Sequence, residues 1–109
     1  MAVRTFYRVV KTDPPALADF TSNAARGRPL PDPSPETRRL WAGLSVNATE
    51  AQARRRARQY PTLGAHIARL ELPADAPVRV ERTTRIPGHH TLWGEPAVLL
   101  GCVVAVVPV

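Results

Sequence analysis

Two adjacent histidines and a nearby glutamate carry the side chains of this sequence that best suit proton transfer. His89 and His90 are neighbours, and Glu95 follows in the stretch Trp93-Gly94-Glu95-Pro96. Because consecutive residues of a strand point to opposite faces, the two histidines cannot share one metal. We expect one of them to act at a site and the other to be exposed. A pair of turn histidines and a surface glutamate are the alternative for this segment.

An arginine and a serine stand where an anionic ligand could be held. Arg8 follows two aromatic residues in an alternating segment, and Ser45 comes directly after Gly43-Leu44, where a short strand leads into a helix. A guanidinium binds phosphate through two parallel charge-assisted hydrogen bonds. Taken alone, Arg8 is also consistent with an ordinary sheet-face arginine and Ser45 with a plain strand serine.

Most signatures of nucleotide, metal and hydrolase sites are missing from the sequence. It has no glycine-rich phosphate loop, no GxGxxG, no HExxH, no CxxC and no GxSxG. Cys102 is the only cysteine, which excludes an intrachain disulfide and a cysteine-based metal site. It lies in an apolar run, where cysteine usually behaves as a small buried hydrophobe. We therefore expect no metal.

The charge balance is basic but does not by itself indicate nucleic-acid binding. The chain has 15 Lys and Arg against 9 Asp and Glu, a net charge of +6, and Lys11 is its only lysine. An arginine excess together with many Ala, Pro and Val is more typical of a GC-rich genome than of selection for phosphate contacts. The one cluster, Arg54 to Arg58, winds around its helix. A soluble protein with a basic surface is favoured over a nucleic-acid binder.

The length predicts a single domain covering residues 1–109, since either half would lack a sizeable core. The longest apolar run, from Val98 to Val107, is interrupted by Gly101 and is far shorter than the ~20 residues of a membrane-spanning helix. The first ten residues carry Arg4 and Arg8 and do not resemble a signal peptide. We expect a cytoplasmic protein without membrane contact.

Strand and helix signals alternate along the first half of the chain. Residues 3–10 alternate with period two and predict a strand. Asp13-Pro14-Pro15 predicts the start of a helix that ends near Gly27. Ser34-Pro35 predicts a second short helix ending at Gly43, with Leu40 and Trp41 buried.

The second half predicts one better helix and several strands. Thr49 and Gln52 fit a capping box, which predicts a helix that ends at Tyr60 before Pro61. Four strand-like segments follow, and the β-branched run from Cys102 to Val107 is typical of a central strand buried on both faces. These elements predict an α+β fold, a compact split sheet, antiparallel or mixed, with two or three short helices.

The order of short motifs resembles small bacterial members of the ADP-ribosyltransferase-like fold. Phe-Tyr-Arg-Val-Val at residues 6–10 is followed by Gly-Leu-Ser-Val at 43–46, an Ala-rich capped helix, and His-His-Thr-Leu-Trp-Gly-Glu-Pro at 89–96 before an apolar strand. The resemblance implies a split β-sheet around an NAD cleft. It also implies cleavage of the nicotinamide–ribose bond or transfer of ADP-ribose.

The resemblance assigns roles to particular residues. Arg8 would hold the pyrophosphate, Ser45 would orient the ribose or the first-strand side chain, and Glu95 would act on the ribose. His90 could occupy the position of that glutamate instead, and Tyr7 or Trp93 could stack on the nicotinamide. The paired Glu-x-Glu of the family is missing. The alternative is a member that binds a nucleotide or a protein partner without transfer, or a basic protein that binds nucleic acid.

Overall fold

Six strands form one antiparallel sheet in the computed structural model, which describes residues 3–109. The order across the sheet is β4-β5-β2-β1-β3-β6. The strands are β1 Val3–Val10, β2 Leu44–Asn47, β3 His66–Pro73, β4 Arg79–Arg82, β5 His89–Trp93 and β6 Val103–Pro108. Three helices accompany the sheet, namely α1 Pro35–Trp41, α2 Glu50–Gln59 and α3 Pro96–Gly101. The predicted α+β fold is confirmed, and every described strand pair is antiparallel.

One face of the sheet carries the main hydrophobic core. Alternate residues of the strands point to this face, among them Phe6, Val46 and Leu92, all nearly inaccessible to solvent. Phe20, from the segment after β1, and Leu99, from α3, cover them. Burial of these side chains is the main force that holds the sheet together, at about 25 cal/mol per Å² of apolar surface.

The longest helix, α2, packs on the sheet through its smallest side chains. Ala53 and Ala57 are buried and lie four residues apart, so they share one face of the helix. This face contacts β1, β2 and β3. The predicted capping box is present, because Gln52 N–H donates to Thr49 Oγ1 and Thr49 N–H donates to Gln52 Oε1, both over 3.2 Å.

The sheet is nearly split between its two central strands. Within the described residues, β1 and β2 pair only at Tyr7 with Asn47, whereas β1 and β3 pair along eight successive positions. The sheet therefore consists of two well-paired groups, β4-β5-β2 and β1-β3-β6, joined at one point. A gap is left between β1 and β2 beside Arg8, the residue that follows Tyr7.

The segment after β1 does not form the predicted α-helix, and that prediction is wrong. It forms a single 3₁₀ turn, Leu17–Phe20, followed by irregular turns up to Gly27. The Asp19 carboxylate accepts hydrogen bonds from Lys11 N–H at 2.8 Å and from Ala16 N–H at 2.9 Å. These bonds wrap the chain around Asp19 while Phe20 anchors it in the core.

Two burial predictions are also corrected. Strand β6 lies at an edge of the sheet, with Val104 exposed to 53%, so the run from Cys102 is not a central strand buried on both faces. Only the half-buried residues of this run pack on the core, Cys102 among them.

Helix α1 begins after Ser34 as predicted, but Leu40 and Trp41 are only half-buried. No helix among residues 3–109 is long and apolar enough to cross a membrane.

Gly64, two residues before β3, is expected to be irreplaceable. Its φ is +150°, and a Cβ there would collide with the backbone carbonyl of Val10. Gly64→Ala should lower the free energy of unfolding by about 1–3 kcal/mol, measured by urea denaturation. Gly101→Ala is the matched control, because nothing lies within 4 Å of a Cβ at that position. Equal stability of the two variants would contradict the strain assigned to Gly64.

Candidate functional site

A cleft of about 630 Å³ lies over β2 and β5 and reaches Arg8 on β1. Its floor is on the face of β2 and β5 that points away from Leu44, Val46 and Leu92 of the main core. Four polar side chains form its floor. Ser45 lies directly opposite Thr91 and Asn47 lies directly opposite His89 in the register of the two strands. Because each pair is two residues from the other, all four side chains point to the same face. The floor is a two-by-two array of hydrogen-bonding groups.

Arg8 closes the cleft where β1 separates from β2. Its Nε donates to the backbone carbonyl of Asp19 at 2.7 Å, and its Nη1 donates to the backbone carbonyl of Ser45 at 2.8 Å. The guanidinium thus bridges the gap between the two halves of the sheet. Its Nη2 makes no hydrogen bond within residues 3–109, so donors remain for a ligand in the cleft.

Arg8 carries a charge in a poorly solvated position. Burial is the main cause that lowers the pKa of Arg8 to about 10; the charge of Asp19 opposes this shift, and the charges of Arg26 and Arg56 add to it. The guanidinium remains protonated at neutral pH. It contacts carbonyl oxygens and not carboxylate oxygens. A desolvated cation without an ion-pair partner attracts an anion more strongly than an exposed one does.

Asp19 is the only acidic residue that lines the cleft, and its carboxylate is already engaged. Besides the two backbone amides, Thr12 Oγ1 donates to it at 2.6 Å. Burial alone would raise the pKa of Asp19. The hydrogen bonds from Ala16, Thr12 and Lys11 and the charge of Arg8 outweigh burial and hold the pKa below its ordinary value. Asp19 is therefore ionised and organises the loop that carries one wall.

The walls of the cleft are strongly basic. Five basic side chains line it: Arg8, Lys11, Arg26, Arg28 and Arg56. None of them forms an ion pair within the described part of the chain. The arginines that do pair with glutamates all lie outside the cleft, and they are Arg39, Arg54, Arg69 and Arg79. Apart from the single negative charge of Asp19, the positive charge of the cleft is thus not compensated by the described residues that line it.

His89 is the histidine of the pair that faces the cleft. Its Nδ1 lies 3.1 Å from Thr83 Oγ1, and that hydroxyl lies 2.6 Å from Thr91 Oγ1. Burial, foremost, lowers the pKa of His89, and the charge of Arg56 adds to this although a hydrogen bond with Thr83 opposes it. The ring is neutral at pH 7, and Nε2 has no hydrogen-bond partner among residues 3–109. A neutral imidazole in this position can accept or donate one hydrogen bond.

His90 and Glu95 do not line the cleft. His90 points to the other face of β5, where its ring lies 5.0 Å from that of Phe6. Glu95 is exposed in the turn before α3, and its carbonyl accepts the Leu99 N–H at 3.1 Å. Arg8 and Ser45 meet in the cleft, but neither of the two residues expected to act on the ribose joins them there.

The aromatic residue of the cleft is Trp41 and not Tyr7 or Trp93. Trp41 lines the cleft and its Nε1 donates to the Arg28 carbonyl at 3.0 Å. Trp93 has two guanidinium groups over its ring, those of Arg39 at 5.1 Å and Arg79 at 5.6 Å from the centroid. Tyr7 is half-buried on β1 outside the cleft.

Sequence reasoning missed most of the cleft walls. The odd-numbered residues of β5 share the face of Ser45, so the register between β2 and β5 selects His89 and not His90. That register cannot be read from the sequence. Lys11, Arg26 and Arg28 lie on irregular loops, and no periodicity marks them. Among residues 3–109, no three His, Cys, Asp or Glu side chains lie close enough together to hold a metal ion.

In comparisons with known proteins, no protein-family model, no curated protein and no solved structure matches the chain.

The Asp19 carboxylate is expected to stabilise the cleft in a pH-dependent way. Asp19→Asn should lower the free energy of unfolding by about 1–3 kcal/mol at pH 7, because buried amides lose a charged acceptor. The folded-state pKa lies below the unfolded value of 3.8. The stabilisation is therefore complete above that value and is lost as the pH falls through the folded-state pKa.

Urea denaturation at several pH values measures this difference. The difference in the free energy of unfolding between wild type and Asp19→Asn should become smaller as the pH falls below 4. Asp75→Asn, which changes an exposed turn carboxylate, serves as the control and should stay close to wild type at every pH. An equal difference in the free energy of unfolding at pH 7 and at pH 3 would argue against an ionised Asp19.

Proposed function

We propose that the cleft binds NAD or a related nucleotide through its phosphates, and that the protein does so without transferring ADP-ribose by way of Glu95. The observation that carries the proposal is the set of five basic side chains that line the cleft without a carboxylate partner. An anionic ligand would neutralise charges that the protein itself leaves unpaired.

A diphosphate fits these charges better than a carboxylate or a single small anion. Arg8 offers its free Nη2 group to the cleft, and Arg26 and Arg28 line the same cleft from the irregular segment that follows β1. Guanidinium groups approach phosphate oxygens in pairs and hold them with directional, charge-assisted hydrogen bonds. Several such groups around one cavity suit a ligand that carries several phosphate oxygens.

The remaining surface of the cleft suits the sugar of a nucleotide. Ser45 and Thr91 present hydroxyl groups and Asn47 presents an amide, and all three lie on the cleft floor. Ribose hydroxyls both donate and accept, as these groups do. The cleft volume lies within the range of about 300–1,000 Å³ that is usual for small-molecule sites.

The nearly split sheet supports the resemblance to the ADP-ribosyltransferase-like fold, and the position of Glu95 argues against the transfer reaction. Stabilisation of a cationic ribose requires a carboxylate close to the reacting carbon. Glu95 is exposed and outside the cleft, and Asp19 is held by the backbone. We therefore favour the member of this fold that binds without transfer over the one that cleaves the nicotinamide–ribose bond.

Arg8 is expected to dominate nucleotide affinity. Arg8→Gln should weaken NAD and ADP binding about tenfold or more, because a hydrogen bond to a charged group contributes about 1.5–3 kcal/mol. Isothermal titration calorimetry measures the affinity, and circular dichroism verifies that the variant is folded. Arg58→Gln removes the same charge from an exposed residue of α2 outside the cleft and should change affinity less than twofold.

The salt dependence provides a second readout of the same site. Affinity of the wild type should fall as NaCl is raised from 50 to 500 mM, because salt screens the attraction between cleft and phosphates. Absence of NAD and ADP binding by the wild type at low salt would refute the proposal. An equal loss in Arg8→Gln and Arg58→Gln would show that net charge, and not the cleft, determines binding.

Nicotinamide release distinguishes binding from transfer. Purified protein incubated with NAD should release nicotinamide no faster than buffer, as followed by liquid chromatography. Glu95→Gln should leave NAD affinity unchanged because the exposed side chain lies outside the cleft. Release by the wild type that Glu95→Gln abolishes would restore the enzymatic hypothesis.

A further inference from the structure

A second cavity, of about 500 Å³, adjoins the basic cleft. The two cavities share Asn47, Arg56 and Ile86 as lining residues, so they meet along one wall. Arg56 belongs to α2 and Ile86 to the turn between β4 and β5. A ligand of sufficient length could therefore extend from one cavity into the other past Arg56.

The second cavity is lined by a continuous stripe of α2. The helix contributes Ala51 and four polar residues, namely Gln52, Arg55, Arg56 and Gln59. Their spacing of i, i+3, i+4 and i+7 puts them on one face. The neighbouring face carries Ala53 and Ala57, which pack on the sheet. The polar stripe is thus exposed to the cavity while the helix itself is fixed.

The chemistry of the second cavity differs from that of the first. An aromatic ring and two apolar side chains, from Tyr60, Ile86 and Pro87, form part of its lining. Tyr60 is 49% exposed and Ile86 is 50% exposed, so their surfaces are available for contact. The Arg56 guanidinium lies 5.5 Å from the centroid of the Tyr60 ring. The aromatic and apolar part of this lining suits a planar, uncharged group better than a phosphate, beside the guanidinium groups of Arg55 and Arg56.

The two glutamines could recognise the edge of such a planar group. Gln52 Oε1 already accepts the Thr49 N–H, which leaves its Nε2 as a donor. The Gln59 amide makes no side-chain hydrogen bond among residues 3–109, so it can donate and accept at the same time. A glutamine amide pairs in this way with the adjacent donor and acceptor of adenine.

We propose that the second cavity binds the adenine base of a nucleotide whose phosphates occupy the basic cleft, with Tyr60 stacking on the base and Gln59 contacting its edge. This inference rests on the proposed function, because it takes the phosphate position from it. Base stacking on an aromatic side chain tolerates many orientations, whereas the amide contact selects the base. The two cavities together would make the protein discriminate ADP from inorganic pyrophosphate.

The test compares the affinities for ADP and inorganic pyrophosphate by calorimetry in the wild type and in two Tyr60 variants. The wild type should bind ADP at least tenfold more tightly than pyrophosphate. Tyr60→Leu should reduce this preference about fivefold or more, since stacking is lost, while leaving pyrophosphate affinity unchanged. Tyr60→Phe is the matched control and should retain the preference, because its ring still stacks.

Replacing the base tests the Gln59 contact separately. IDP carries a carbonyl where ADP carries an amino group, so the wild type should bind IDP several-fold more weakly than ADP. Gln59→Leu should abolish the difference between these two nucleotides without changing the affinity for pyrophosphate. A preference for ADP over IDP that survives in Gln59→Leu would overturn the role assigned to this residue.

The outcomes separate this inference from the proposed function. If the wild type binds pyrophosphate but Tyr60→Leu keeps the full preference for ADP, the base lies elsewhere and the inference fails while the proposed function stands. If ADP and pyrophosphate bind equally tightly, the inference fails in the same way. If Tyr60→Leu lowers the affinities for ADP and for pyrophosphate equally, Tyr60 acts on the fold and not on the base, and the inference fails. If neither ligand binds the wild type, both proposals fail together.

Discussion

The arrangement of the cleft depends on the Arg8 guanidinium, which bridges a sheet that is nearly divided. β1 and β2 share only the pair Tyr7–Asn47, and beside it Arg8 donates to the carbonyls of Asp19 and Ser45. A cation in a poorly solvated gap costs free energy unless it is compensated. Two carbonyl oxygens satisfy its hydrogen bonds in part but do not neutralise it. The same residue therefore joins the two halves of the sheet and leaves a charge directed at the cleft.

The two-residue period of the strands decides which polar groups can act together. Ser45 and Thr91 face the basic cleft, whereas His90, one residue away, faces Phe6 on the other side of the sheet. The wall of the cleft that follows β1 is not positioned by strand register. Asp19 gathers the amides of Lys11 and Ala16 and so holds the irregular segment after β1 against the sheet. The site combines a regular floor with a wall maintained by one buried carboxylate.

Much of the fold and part of the site could be predicted from the sequence. The alternation of residues 3–10, the Ser34 cap and the Thr49–Gln52 capping box are local signals. Local hydrogen bonds determine where the two capped helices begin, and the alternation of polar and apolar residues determines which side chains of β1 face the core. Arg8 and Ser45 were predicted on short motifs and do share a cleft. Register is not a local property, so the face of His89 could not be derived. The prolines before Leu17 predict the start of a helix. The hydrogen bonds that Asp19 accepts from Lys11, Thr12 and Ala16 instead hold this segment in a single 3₁₀ turn, and the sequence pattern does not show them. Apolar composition likewise did not distinguish the edge position of β6 from a central one.

The most direct measurement of the central claim is a crystal structure of the protein with ADP. It would show whether a phosphate occupies the space beside the unbonded Nη2 of Arg8. The account predicts phosphate oxygens within hydrogen-bonding distance of Nη2 and the nucleotide lying over Ser45 and Thr91. A diphosphate bound instead to the exposed arginines of α2, with the cleft empty, would contradict it.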